Sequence, residues 1–87
     1  MSQTVKLLAR FLGKPKDLTW KELVSVLEIF GYHELRSGKT GGSRRKFADL
    51  EKRIITLHKP HPGQIVKVYM IEQVIENLKE NGKIKNR

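Results

Sequence analysis

Two kinds of side chain in this sequence are chemically useful to each other. One is the cationic run Arg44-Arg45-Lys46, and the other is the imidazole of His58. Imidazole has an ordinary pKa of about 6.5, so at neutral pH it can accept a proton. Guanidinium stays protonated and offers a planar fork of donors that fits phosphate oxygens. An imidazole beside a cation suits attack of an RNA 2′-hydroxyl on its own phosphodiester. The base takes the hydroxyl proton, and the cation stabilises the charge of the pentacoordinate phosphorane. That chemistry requires no metal. The cationic run also follows directly on Gly38-Lys39-Thr40-Gly41-Gly42-Ser43, where glycine lets backbone amides come close to a phosphate.

These groups act together only if the chain folds them together. Arg44 to Ala48 and Arg53 to His58 are strand candidates, joined by Asp49-Leu50-Glu51-Lys52. A turn centred near Glu51 sets Arg44 opposite His58 and Phe47 opposite Ile55. Phe47, Ile55 and Leu57 then face inward, and Arg44, Lys46, Thr56 and His58 face outward. A slip of one residue would send His58 inward instead. Tyr32 to Arg36 is a further strand candidate, and Ser37 to Ser43 is a glycine-rich turn. Short strands with tight connections predict a three-stranded antiparallel meander.

Helices flank the strands. Val5 to Leu12 has helical periodicity, and Gly13-Lys14-Pro15-Lys16 breaks it. Thr19 with Glu22 three residues later makes a capping box, with Leu18 and Leu23 at the staple positions. Trp20, Leu23, Val24, Leu27 and Phe30 follow at core-facing spacing, and Gly31 fits the left-handed position after a helix end. This predicts a helix over 20–30. Pro60 and Pro62 prevent a fourth strand. A last helix is expected from about Val68 to Asn81, with Val68, Ile71, Val74, Ile75 and Leu78 as its stripe. Gly82 should stop it, leaving Lys83 to Arg87 as a frayed basic tail. The expected fold is α+β in the order α-β-β-β-α, after a short N-terminal helix. Both main helices cover one sheet face and leave the other to solvent or a ligand. One domain is expected over 1–87.

Totals narrow the partner. The 87 residues hold 18 Lys+Arg against 9 Asp+Glu, a formal charge of +9. A small domain this basic attracts polyanions. RNA fits better than a membrane surface, because the cations are not confined to one amphipathic helix. An acidic protein partner fits as well. Without cysteine there is no disulfide and no thiolate zinc site, which is compatible with the cytoplasm. Lys6 and Arg10 interrupt the N-terminal apolar residues, so a signal peptide is not expected. No apolar run approaches bilayer length. Aromatics make up only 7% and sit mostly at core-like spacings, which argues against an open base-stacking platform. Gly38-Lys39-Thr40 is not a phosphate loop, since the required earlier glycine is His33 and no helix follows. His58 and His61 lack a third ligand, so no metal is expected. His33 is expected to be structural.

Several blocks share their order and spacing with one family. They are Lys14-Pro15-Lys16-Asp17-Leu18-Thr19-Trp20, Gly31-Tyr32, Gly42-Ser43-Arg44-Arg45-Lys46-Phe47, and His58-Lys59-Pro60-His61-Pro62-Gly63. Over about residues 5–82 the chain resembles the HicA-type toxins, the mRNA interferases of bacterial toxin–antitoxin pairs. The resemblance implies a double-stranded-RNA-binding-like fold, mRNA as substrate, an acidic HicB-like antitoxin as partner, and no cofactor. Gly42, Ser43, Arg44, Lys46 and Lys59 are the expected RNA contacts, and His58 with Arg44 the expected catalytic pair. The chain departs from the family at one position: the family's catalytic histidine is Arg44 here, and arginine cannot act as a base at neutral pH. Three functions stay open. His58 has taken over the base role, or the domain binds RNA without cleaving it, or its basic face chiefly engages an acidic partner.

Overall fold

Local signals set the ends of the helices. The computed structural model describes residues 3–35, 44–60 and 63–84. The expected turn from Ser37 to Ser43, with Gly42 and Ser43, lies outside them, as do His61 and the tail beyond Ile84. The helices are α1 (Gln3–Leu12), α2 (Trp20–Ile29) and α3 (Val68–Glu80), and the strands are β1 (His33–Glu34), β2 (Arg44–Ala48) and β3 (Ile54–His58). Ahead of α2 the capping box forms as expected. The Glu22 N–H donates to Thr19 Oγ1 (3.1 Å), and the Thr19 N–H donates to Glu22 Oε1 (2.9 Å). Such a cap stabilises a helix by about 1 kcal/mol. Arg10 of α1 reaches the same place, 3.0 Å from Asp17 Oδ1 and 3.4 Å from Glu22 Oε1.

Two helices end alike. At the end of α2 the Gly31 N–H donates to the Glu28 carbonyl and the Tyr32 N–H to the Leu27 carbonyl, with Gly31 at φ +90°. At the end of α3 the Gly82 N–H donates to Lys79 and the Lys83 N–H to Leu78, with Gly82 at φ +74°. Both are Schellman closures, which need a left-handed residue after the cap and therefore favour glycine.

The strands form one antiparallel sheet in the order β1-β2-β3. Arg44 pairs with His58, Lys46 with Thr56 and Phe47 with Ile55, the register expected from the turn length. The loop explains that register. The Lys52 N–H donates to the Asp49 carbonyl and the Asp49 N–H to the Arg53 carbonyl, with Lys52 at φ +64°. This is a three-residue hairpin loop, a turn followed by one left-handed residue. Asp49 holds it from inside. Its Oδ1 accepts from the Glu51 N–H (2.9 Å) and the Arg53 N–H (2.8 Å), and the residue is only 3% exposed. Lys83 Nζ lies 3.3 Å from Asp49 Oδ2 as an ion pair without hydrogen-bond geometry. Burial alone would push the Asp49 carboxyl up. The Arg53 N–H, the Lys83 ammonium and the Glu51 N–H more than offset it, and the carboxyl titrates below its ordinary value.

Phe47, Ile55 and Leu57 join one core with α1, α2 and α3. Trp20 and Phe47 meet in a tilted pair, with centroids 6.0 Å apart. Several details differ from expectation. On α2, Val26 is fully buried, whereas Val24 and Phe30 are only partly covered. The reason is that α1 packs on α2 and contributes the fully buried Phe11, so the buried arc of α2 is wider than one stripe. On α3, Met70 is buried in place of Val68. Of the expected strand from Tyr32 to Arg36, β1 comprises His33 and Glu34 among the described residues, and Arg36 lies outside them. Lys83 does not fray; it also sits 5.4 Å from the centre of the Tyr32 ring. One pairing has no local sequence signal. The Val66 N–H donates to the Leu18 carbonyl and the Trp20 N–H to the Gln64 carbonyl (both 2.7 Å). The pairing binds the chain before α3 to the start of α2 and buries Leu18 and Val66 completely.

Candidate nucleic-acid interface

The hairpin splits its cations by strand alternation. Arg45 points to the helical side, 3.8 Å from Glu34 on β1. Arg44 and Lys46 are exposed on the other side with Thr56 and His58. Arg44 lies directly across from His58, and side chains opposite one another in an antiparallel pair start roughly 4.5–5.5 Å apart at Cβ. Among the described residues neither Arg44, Lys46, Lys59 nor the His58 ring has an ion pair or a side-chain hydrogen bond. A cation without a carboxylate partner keeps its field for a ligand, while Arg45 is already neutralised by Glu34.

Lys59 and Pro60 continue the chain from His58 and are half-buried. His58, Lys59 and Pro60 form one wall of a cleft of about 340 Å³, with Lys67, Tyr69 and Met70 on the α3 side. The sequence analysis missed Lys67 and Tyr69. A signal was present: Tyr69 falls outside the α3 core positions Ile71, Val74, Ile75 and Leu78, and it is 61% exposed.

His33 was expected to be structural, yet it is exposed. It pairs with Ala48 and so shares the outer face. Four residue steps along β2 lead from Ala48 to Arg44, about 14 Å at strand rise, so His33 does not join the Arg44–His58 pair. No group of three or more His, Asp or Glu side chains among the described residues is placed to hold a metal ion. None of the described helices is long and apolar enough to cross a membrane.

This arrangement sets an imidazole, a permanent cation opposite it and a second cation beside them on one open surface. A family model described as the HicA toxin of bacterial toxin-antitoxin matches residues 20–82. That span runs from the start of α2 to Gly82 and contains the whole sheet. No curated protein and no solved structure matches the chain.

Proposed function

The chain belongs to the HicA toxin family, and on that premise we propose that it binds mRNA across the outer sheet face and cleaves it without a metal. The family is the toxin half of a toxin–antitoxin pair, so its partner is an antitoxin. In this proposal the antitoxin is an acidic, HicB-like protein that covers the same face in the cytoplasm. The +9 charge favours both partners, because complementary potentials speed encounter and fix docking.

One observation carries the chemical part: Arg44 and His58 are cross-strand neighbours, both exposed and both without partners among the described residues. His58 takes the proton of the 2′-hydroxyl. The 2′-oxygen bonds to phosphorus, and Arg44 holds the phosphorane oxygens as charge builds. The bond from phosphorus to the 5′-oxygen then breaks. The leaving oxygen takes up a proton from the imidazolium or from water. The products are a 2′,3′-cyclic phosphate and a free 5′-hydroxyl. Lys46 and Lys59 hold neighbouring phosphates, and Gly42 and Ser43 approach the backbone.

The presence of Arg44 where the family carries its histidine favours a second reading, an RNA-binding domain of the same fold that does not cleave. A basic surface used chiefly for an acidic protein partner is the third. Induced expression of the chain and of His58→Ala, followed by growth and RNA integrity, separates them. Toxicity with RNA breakdown that depends on His58 and survives EDTA supports the first. Undiminished cleavage by a folded His58→Ala protein would remove His58 from the mechanism, and RNA binding without any cleavage would establish the second.

A further inference from the structure

Tyr69 is out of keeping with the rest of α3. The helix buries Met70, Ile71, Val74, Ile75 and Leu78, yet Tyr69 in its first turn leaves a large ring mostly in solvent. Its hydroxyl has no hydrogen bond among the described residues. The ring borders the cleft that begins at His58. Met70, Pro60 and the half-exposed Ile65 make the cleft apolar, and Lys59 and Lys67 add positive charge. Neither lysine has an ion pair among the described residues.

Other surface concavities differ in charge. The one between α1 and α2 carries Glu22, the one beside the C-terminal half of α3 carries Glu72 and Glu76, and a third carries Glu28. Among the described residues no carboxylate lines the cleft at His58. An occupant for it should have a flat apolar face for the ring and negative charge for the two lysines, and it should extend to the imidazole. A nucleotide of single-stranded RNA meets all three requirements, since every base has a π-face and is tied to phosphate.

We infer that this cleft takes the nucleobase next to the cleaved phosphodiester, stacked on Tyr69, with Lys59 and Lys67 on the adjoining phosphates. The inference rests on RNA binding at the outer sheet face and adds the group that orients the strand there. Sparse aromatics exclude a broad platform, but a single stacking position needs only one ring. Tyr69 is then a positioning residue: it fixes which ribose lies against His58.

The test is equilibrium binding of a fluorescent single-stranded RNA of roughly ten nucleotides, 2′-O-methylated throughout so that it cannot be cleaved. Tyr69→Ala and Tyr69→Leu should each weaken binding roughly 5- to 150-fold, the range for loss of one base–aromatic stack. The salt slope should stay that of the wild type, because no charge is removed. Tyr69→Phe should bind like the wild type. In a scan of abasic positions, one position should weaken wild-type binding by a similar factor and add almost nothing to Tyr69→Ala. Unchanged affinity in both Tyr69→Ala and Tyr69→Leu, or abasic losses as large in Tyr69→Ala as in the wild type, would overturn the stacking site while leaving RNA binding intact. Failure of the wild type to bind at low salt would overturn both.

Discussion

The two ends of the β2–β3 hairpin use the same residue types in opposite ways. At the turn end, charged and polar groups are matched. Asp49 accepts from two backbone N–H groups and faces Lys83. Arg53 Nη1 donates to the Asn81 carbonyl at 2.7 Å, and the Asn81 side chain donates to the Tyr32 hydroxyl. At the open end, Arg44 and His58 face each other without partners among the described residues. Satisfied charges hold an element in place, and unsatisfied ones remain available to a ligand. The matched end also ties the hairpin to the end of α3, and the loop there sets the register on which the Arg44–His58 pair depends.

Substitutions at the two ends should therefore fail in different assays. The largest effect is expected at the open end. His58→Ala should slow RNA cleavage on the order of a hundredfold or more, measured as the rate of 2′,3′-cyclic phosphate formation, and leave the melting temperature unchanged because the side chain is exposed. At the turn end, Asp49→Asn should do the reverse: it should lower the melting temperature and leave the salt dependence of RNA binding alone. Its pH behaviour follows from the depressed carboxyl. Ionised Asp49 stabilises the fold fully above the ordinary carboxylate value of about 3.9. That stabilisation is lost as pH falls from there through the lower folded value. Thermal melts of the wild type should therefore drop in this acid window, and those of Asp49→Asn should drop less.

A smaller effect sharpens the comparison within β2. Arg44→Ala and Lys46→Ala should each make the log–log salt slope of single-stranded RNA binding shallower by roughly 0.7 to 1. Arg45→Ala should change it less, because Glu34 already neutralises that side chain; equal changes at all three positions would contradict the split. The smallest effect belongs to Lys52, whose left-handed φ of +64° is costly for a residue with a Cβ. Lys52→Gly should stabilise the fold by about 0.5–1 kcal/mol in chemical denaturation, without altering RNA affinity.

The candidate site was partly legible in the sequence because its geometry is local. Few residues separate Ala48 from Ile54, so the turn could be centred by counting, and alternation then placed Arg44, Lys46 and His58 on one face. The caps at Thr19, Gly31 and Gly82 were legible for the same reason, since each is a short-range hydrogen-bond pattern. What escaped depends on distant parts of the chain. The burial of Val26 requires knowing that α1 lies on α2. The pairing of Leu18 and Trp20 with Gln64 and Val66 joins residues on opposite sides of the sheet in sequence. Tyr69 fell between these cases. Its place off the α3 stripe could be counted, but its proximity to His58 comes only from the route of the chain between β3 and α3.

That route has a consequence for what each half of the candidate site depends on. The pairing of Leu18 and Trp20 with Gln64 and Val66 closes a loop that contains α2 and the whole sheet, and closure entropy opposes it until the intervening chain has folded. The hairpin that aligns Arg44 with His58 closes a loop of only three residues. The alignment of Arg44 with His58 thus depends on a short-range connection of the chain, whereas the wall that carries Tyr69 depends on a contact between segments far apart in sequence.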